Sequence, residues 1–131
     1  MELKRIEQMM MLENQVELET KHTFTEGQYI RELHIPKGTL LVGKRHRNKT
    51  LNMLIKGSMT IHDEHNSFDI KAPWYGESEA LTKKAGYAHE DSIFLNIHVT
   101  NETDLDIIEN QFIISDDEYL QLQRKEKPCL G

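Results

Sequence analysis

Gly38-Thr39-Leu40-Leu41-Val42-Gly43-Lys44-Arg45-His46, continuing to Asn52 and Gly57, is the stretch that decides the fold of this chain. It reads as a turn glycine, a strand over Thr39–Lys44 that ends on polar side chains, and a polar loop. A second strand over Leu51–Ile55 follows, closed by Lys56-Gly57. Upstream, Gln28–Ile35 alternates: Tyr29, Arg31, Leu33 and Ile35 share one face, and Ile30, Glu32 and His34 the other. Pro36-Lys37-Gly38 supplies the turn between these strands, proline with a set φ and glycine with a permissive one. Downstream, strands are expected over Ser58–Asp63, Phe68–Lys71, Leu81–Ala85 with Tyr87, and Ser92–Val99. Pro73–Glu79 reads as an aromatic-bearing loop. Short strands punctuated by turn residues roughly every ten positions argue for a mainly β protein, a sandwich or barrel.

The two ends change period. Residues 2–18 carry Ile6, Met9, Met10 and Val16 at helical spacing, which predicts an N-terminal helix that either packs on the barrel or serves an oligomer contact. At the other end, Asn101-Glu102-Thr103 can cap a short helix to Asn110, and Ser115-Asp116-Asp117-Glu118 reads as a capping box. One domain is expected for 131 residues, with the barrel over about 22–100 and a C-terminal helical segment over about 103–127. The lone Cys129 allows no internal disulfide, which fits a reducing compartment. No long apolar run is present, so neither a membrane span nor a signal peptide is expected, and the chain is read as cytoplasmic. The net charge of −6 argues against general nucleic-acid binding.

Chemistry concentrates around Lys44 and His46, which lie two apart on a strand and so share a face. Asn52 offers donors and acceptors, and Lys84 with Tyr87 comes from a later strand and turn. Together these five would suit a phosphorylated or carboxylated small molecule, although Lys44, Arg45 and Arg47 also read as a solvated rim. Trp74-Tyr75 could stack on a base or cover the barrel's end. Seven histidines is many for this length, yet none form a His-X-His pair or an i,i+4 pair. His46 and His98 would be the ligands of any metal, and two ligands with Lys44 nearby argue against one. No nucleophile elbow, phosphate loop or dinucleotide fingerprint is present.

The run Tyr29–Leu41, with Gly43-Lys44, His46, Leu51-Asn52, Lys56-Gly57, Ala72-Pro73, Ala85–Ala88, Glu90-Asp91, Ile97-His98 and Thr103–Asp106, resembles the small cupin-like proteins of tailed bacteriophages over about residues 28–110. The resemblance implies a jelly-roll β-barrel and a homodimer. In metal-binding cupins the first motif supplies two histidines and a glutamate, and the second motif one more histidine. Here Lys44 stands at the first histidine, His46 keeps the second, and Thr50 stands at the glutamate. The second motif, Pro-X-Gly-X-X-His, falls on Glu79 to Lys84 and keeps none of its named residues. His46 and His98 match positions the phage proteins keep. With the anion-suited side chains above, the expectation is a non-catalytic binder of a small anionic ligand with no cofactor; its use in sequestering a host nucleotide or defence signal is what the resemblance implies. Two alternatives are a metal-dependent cupin enzyme acting on a sugar or nucleotide, and an inhibitor that binds a host protein.

Overall fold

A computed structural model describes residues 18–126. The expected helix over 2–18 and Cys129 lie outside the described residues. The described chain is mainly β, with strands β1 (Glu19–Thr25), β2 (Gln28–Ile35), β3 (Leu40–Val42), β4 (Arg45–His46), β5 (Thr50–Lys56), β6 (Ser58–His62), β7 (Ser67–Lys71), β8 (Trp74–Ser78), β9 (Ala85–Ala88) and β10 (Ser92–Val99). Helix α1 (Leu105–Phe112), strand β11 (Ile113–Ile114) and helix α2 (Asp116–Glu126) complete it.

Two antiparallel sheets face each other. One has the order β1-β2-β10-β5-β8, the other β3-β9-β6-β7, and β11 pairs with β4 in a small third sheet. Every pairing is antiparallel. Alternation along the strands turns one face of each sheet inward. Leu33, Ile35, Leu54, Met59, Ile61, Ile70 and Ala88 form the core between the sheets, and Leu54 is fully buried. Among the described residues no helix is long and apolar enough to cross a membrane.

Two sequence expectations are corrected here. Pro73–Glu79 is not a loop: Trp74–Ser78 is edge strand β8, paired to β5, with Leu54 opposite Trp74. Leu81–Lys84 is not strand; it is a turn and connecting segment, and the strand there starts at Ala85. Strand β1 is an addition, a mostly exposed edge strand whose Thr and Lys residues lack an apolar alternation. At the C-terminus the first helix is capped by Asp104, not by Asn101–Thr103: the Asp104 carboxylate accepts from the backbone of Asp106 and Ile107. Ser115 does cap the second helix, accepting from the Glu118 amide at 3.1 Å.

Candidate functional site

The inward residues of the five-stranded sheet change character along the strands. One register row reads Thr20, Leu33, Phe94 and Leu54; the next reads His22, Arg31, Asn96 and Asn52; the third pairs Phe24 with Tyr29 and His98. The first row joins the apolar core. His22, Arg31 and Asn96 of the second row and Tyr29 and His98 of the third line a cavity of about 910 Å³, walled on its other sides by residues that include Leu41–Lys44, His46, Lys84–Gly86 and helix α1.

Its aromatic groups stack across the strands. Tyr29 lies between Phe24 at 5.2 Å and His98 at 5.8 Å, and His98 stacks on Phe112 of α1 at 4.5 Å. His46 meets His98 edge-on at 5.4 Å, and the Tyr29 hydroxyl is hydrogen-bonded to His22 Nδ1 at 2.7 Å. Burial, with weaker help from His98, Lys84 and Arg31, pushes His46 down to about 4. Burial and Arg31 lower His98 as well, so both imidazoles are neutral at pH 7.

The charged groups of the wall are lopsided. Arg31, Lys37, Lys44 and Lys84 line the cavity, and Glu109 is the single carboxylate among its described lining residues. Glu109 is already paired with Lys44 at the rim, where both are largely exposed. Among the described residues Arg31 has no hydrogen-bonding or ion-pair partner. Lys84 lies deeper, with Nζ donating to Ser78 Oγ and 5.9 Å from the Phe94 ring centre. Burial pulls its pKa down to about 8, opposed by Asp63.

Lys84 is carried to this position by its loop. Leu81 N donates to the carbonyl of His46 at 2.8 Å, and Gly43 N to the carbonyl of Lys84 at 2.8 Å. Leu81 has φ 64, the left-handed region that favours glycine.

The six residues singled out from sequence separate. Lys44, His46, Lys84 and His98 all line the cavity. Asn52 lies just beneath it, fully enclosed, donating to Ser78 Oγ and accepting from Asn96 Nδ2 at 2.7 Å. Tyr87 is a correction: it projects from the outer face of β9 against His89, because Gly86 is the residue of that strand that faces in. The rim reading of Arg45 is also corrected. Arg45 is 7% exposed, donates to Glu64 Oε1 at 2.6 Å and to the Leu81 carbonyl, and lies 3.7 Å from the Tyr119 ring centre. Arg47 and Lys83 pair with Glu118 and Asp116 of α2. The basic run thus holds the C-terminal helices in place. Trp74 packs against the core and Tyr75 is 74% exposed on the outer side, so neither reaches the cavity. Sequence reading missed Arg31, although it is the one charge on the apolar face of β2.

The donor set does not fit a metal. Among the described residues no three His, Cys, Asp or Glu side chains are grouped to hold one. His46 and His98 are close, but the groups beside them are Lys84 and Arg31, which repel a divalent ion.

The architecture is the cupin fold, a double-stranded β-helix. KdgF from Halomonas sp. superposes with a TM-score of 0.57 at 14% identity, over 70% of this chain and 88% of its own. A predicted oxalate decarboxylase from Thermotoga maritima gives 0.55 at 16%, over 65% and 82%. An RmlC-like cupin family protein with a double-stranded β-helix fold from Methanocaldococcus jannaschii gives 0.52 at 17%, over 67% and 84%. No protein-family model matches the sequence, and no curated protein does.

Proposed function

We propose that this chain is a non-catalytic binder of a small anionic molecule, held in the cavity by Arg31 and Lys84. The observation that carries the reading is the wall's charge. Among the described residues four cations and one carboxylate line the cavity of a chain whose net charge is −6. A guanidinium that lacks a carboxylate partner suits a phosphate or carboxylate, which it can grip with two parallel hydrogen bonds. The volume falls within the range of about 300–1,000 Å³ typical of small-molecule sites. The Tyr29–His98–Phe112 stack adds an apolar, ring-faced surface that suits a nucleotide. The resemblance to cupin-like proteins of tailed phages supports one use, sequestration of a host nucleotide or defence signal in the host cytoplasm. The metal-dependent enzyme reading has no ligand set behind it among the described residues.

A thermal-shift panel of nucleotides, cyclic nucleotides and phosphosugars, followed by calorimetry on a hit, tests the proposal. Arg31→Gln and Lys84→Gln are each expected to weaken binding about tenfold or more, since a charge-assisted hydrogen bond contributes roughly 1.5–3 kcal/mol. Lys44→Gln costs less, because Glu109 already neutralises that ammonium. Lys71→Gln, on an exposed strand away from the cavity, changes nothing. Affinity also falls as pH rises through about 8, where Lys84 gives up its proton. Equal losses in Arg31→Gln and Lys71→Gln would reduce the effect to long-range charge and remove the site.

A further inference from the structure

We propose that Lys84 captures carbonyl-bearing anions, 2-oxo acids in particular, as an imine in this cavity. The inference rests on the anion-binding reading and adds a covalent step to it. A chain of oriented hydrogen bonds carries the argument. Asn96 Nδ2 donates to Asn52 Oδ1 at 2.7 Å, which turns the Asn52 amide nitrogen toward Ser78. Ser78 Oγ then accepts from both Asn52 and Lys84 Nζ. The amine is anchored through one of its N–H bonds, so once deprotonated its lone pair is left for the cavity. Burial beside Phe94 lowers the cost of that deprotonation to one reached near pH 8. Arg31 and Lys84 line the same cavity, so a carboxylate held by Arg31 presents its neighbouring carbonyl within the same space.

The step balances without a co-reactant. The neutral amine adds to the carbonyl carbon, forming the C–N bond as the C=O π pair moves to oxygen. Both amine protons leave with that oxygen as water, and the C=N bond remains. No oxidant or reductant is consumed, so the product is reversible capture.

The test uses the full chain with pyruvate and cyanoborohydride at pH 8, read by intact mass and peptide mapping. A single reduced adduct at Lys84 is expected. Lys84→Arg keeps the cation and removes the nucleophile, so it retains anion binding and forms no adduct. Lactate, which lacks the carbonyl, serves as the non-covalent probe. Stabilisation by lactate and pyruvate without an adduct would sink the imine and leave the anion site standing. An adduct at Lys84 with no response to lactate would support the imine while removing the anion site. Adducts spread over exposed lysines, equal in Lys84→Arg, would overturn the proposal.

A different observation carries a second inference. The outer face of the five-stranded sheet has an apolar centre. One row across it reads Ile30, Ile97 and Leu51; the next ends in Leu95, Met53 and Tyr75. Ile55 and Val99, 47% and 83% exposed, flank these rows. Charged residues stand on both sides of this centre, Lys21 and Glu32 on β1 and β2 and Glu77 opposite Leu51 on β8. The five strands hold seven, eight, eight, seven and five residues, which at about 4.8 Å between strands and about 3.3 Å per residue make a face of roughly 550 Å². Two copies face to face bury roughly 1,100 Å², above the roughly 1,000 Å² that a biological interface should clear. We infer that this face pairs with a second copy of the chain. Sedimentation of the full chain should show a dimer at micromolar concentration. Ile97→Asp should yield a monomer whose circular dichroism is unchanged, because Ile97 points away from the core. A wild-type monomer, or a dimer that survives Ile97→Asp and Leu51→Asp alike, would rule the face out.

Discussion

Gly57→Ala is expected to destabilise the protein by about 3 kcal/mol or more, because two independent costs meet there. The first is conformational: Gly57 has φ +90, which a side chain rarely adopts. The second is space. A Cβ at this position would lie 2.2 Å from Ser92 Oγ, 2.6 Å from the Asp91 carbonyl oxygen and 2.8 Å from Ser92 Cα. Two of those three atoms are backbone, so no rotamer change relieves the contact. Moving them would also disturb the start of β10, which pairs with both β2 and β5. Gly27→Ala is the matched comparison. Its φ is +78 but nothing lies within 4 Å of its added Cβ, so only the conformational cost of about 1–2 kcal/mol applies. Urea denaturation of the two variants measures the difference; equal midpoints would show that the packing at Asp91–Ser92 yields easily.

Acid should cost the protein stability well before its carboxylates titrate. His46 is held at about 4 in the fold, against an ordinary 6.5. Between those values the unfolded chain binds the proton and the folded chain does not, so stability falls as pH drops through that window. The loss amounts to about 3 kcal/mol when complete. His98 is lowered too and adds in the same direction. Glu64, held down by its hydrogen bond to Arg45 against the opposing effect of burial, also favours the fold at higher pH. Its contribution is lost only below its ordinary value near 4.5, so the range from 6.5 to 4.5 belongs to the histidines. His46→Gln should flatten the stability profile there. A wild-type chain and a His46→Gln chain that weaken in parallel would place the acid sensitivity elsewhere. A bound anion should raise the His46 pKa and offset the loss, so the ligand protects most at low pH.

The parts of the fold that could be read directly were those with strong local signals. The alternation of Gln28–Ile35 gave β2 and its inward face, and Pro36-Lys37-Gly38 gave the turn that Gly38 makes at φ +83. Strand β8 was missed because Pro73 and Gly76 read as breakers; the glycine is there because a Cβ would strike the Trp74 ring at 2.5 Å. Strand β1 was missed because an edge strand with little burial shows no apolar period. The site was half legible. The cupin resemblance pointed to His46 and His98, and the search for an anion-suited set of side chains pointed to Lys84; all three line the cavity. Tyr87 was misplaced by one residue of strand parity, since nothing local says that Gly86 faces in. The meaning of Arg31 was out of reach, because it depends on Asn96 and His22, brought alongside by register. Arg45 likewise meets Glu64 and Tyr119, partners 19 and 74 positions away.

Part of the wall facing the five-stranded sheet comes from residues 105–113, late in the chain and outside the pairing of the two large sheets. That segment is held by β11 on β4, by the Arg47 amide donating to the Phe112 carbonyl, and by surface ion pairs. Ile108 and Phe112 lie outside the apolar cluster between the two sheets, although Ile108 is itself buried and Phe112 stacks on His98. Part of the cavity's lining is thus written apart from the strands that carry Arg31 and His98, so substitutions within residues 105–113 can reshape the cavity from one side while the two-sheet barrel keeps its pairing.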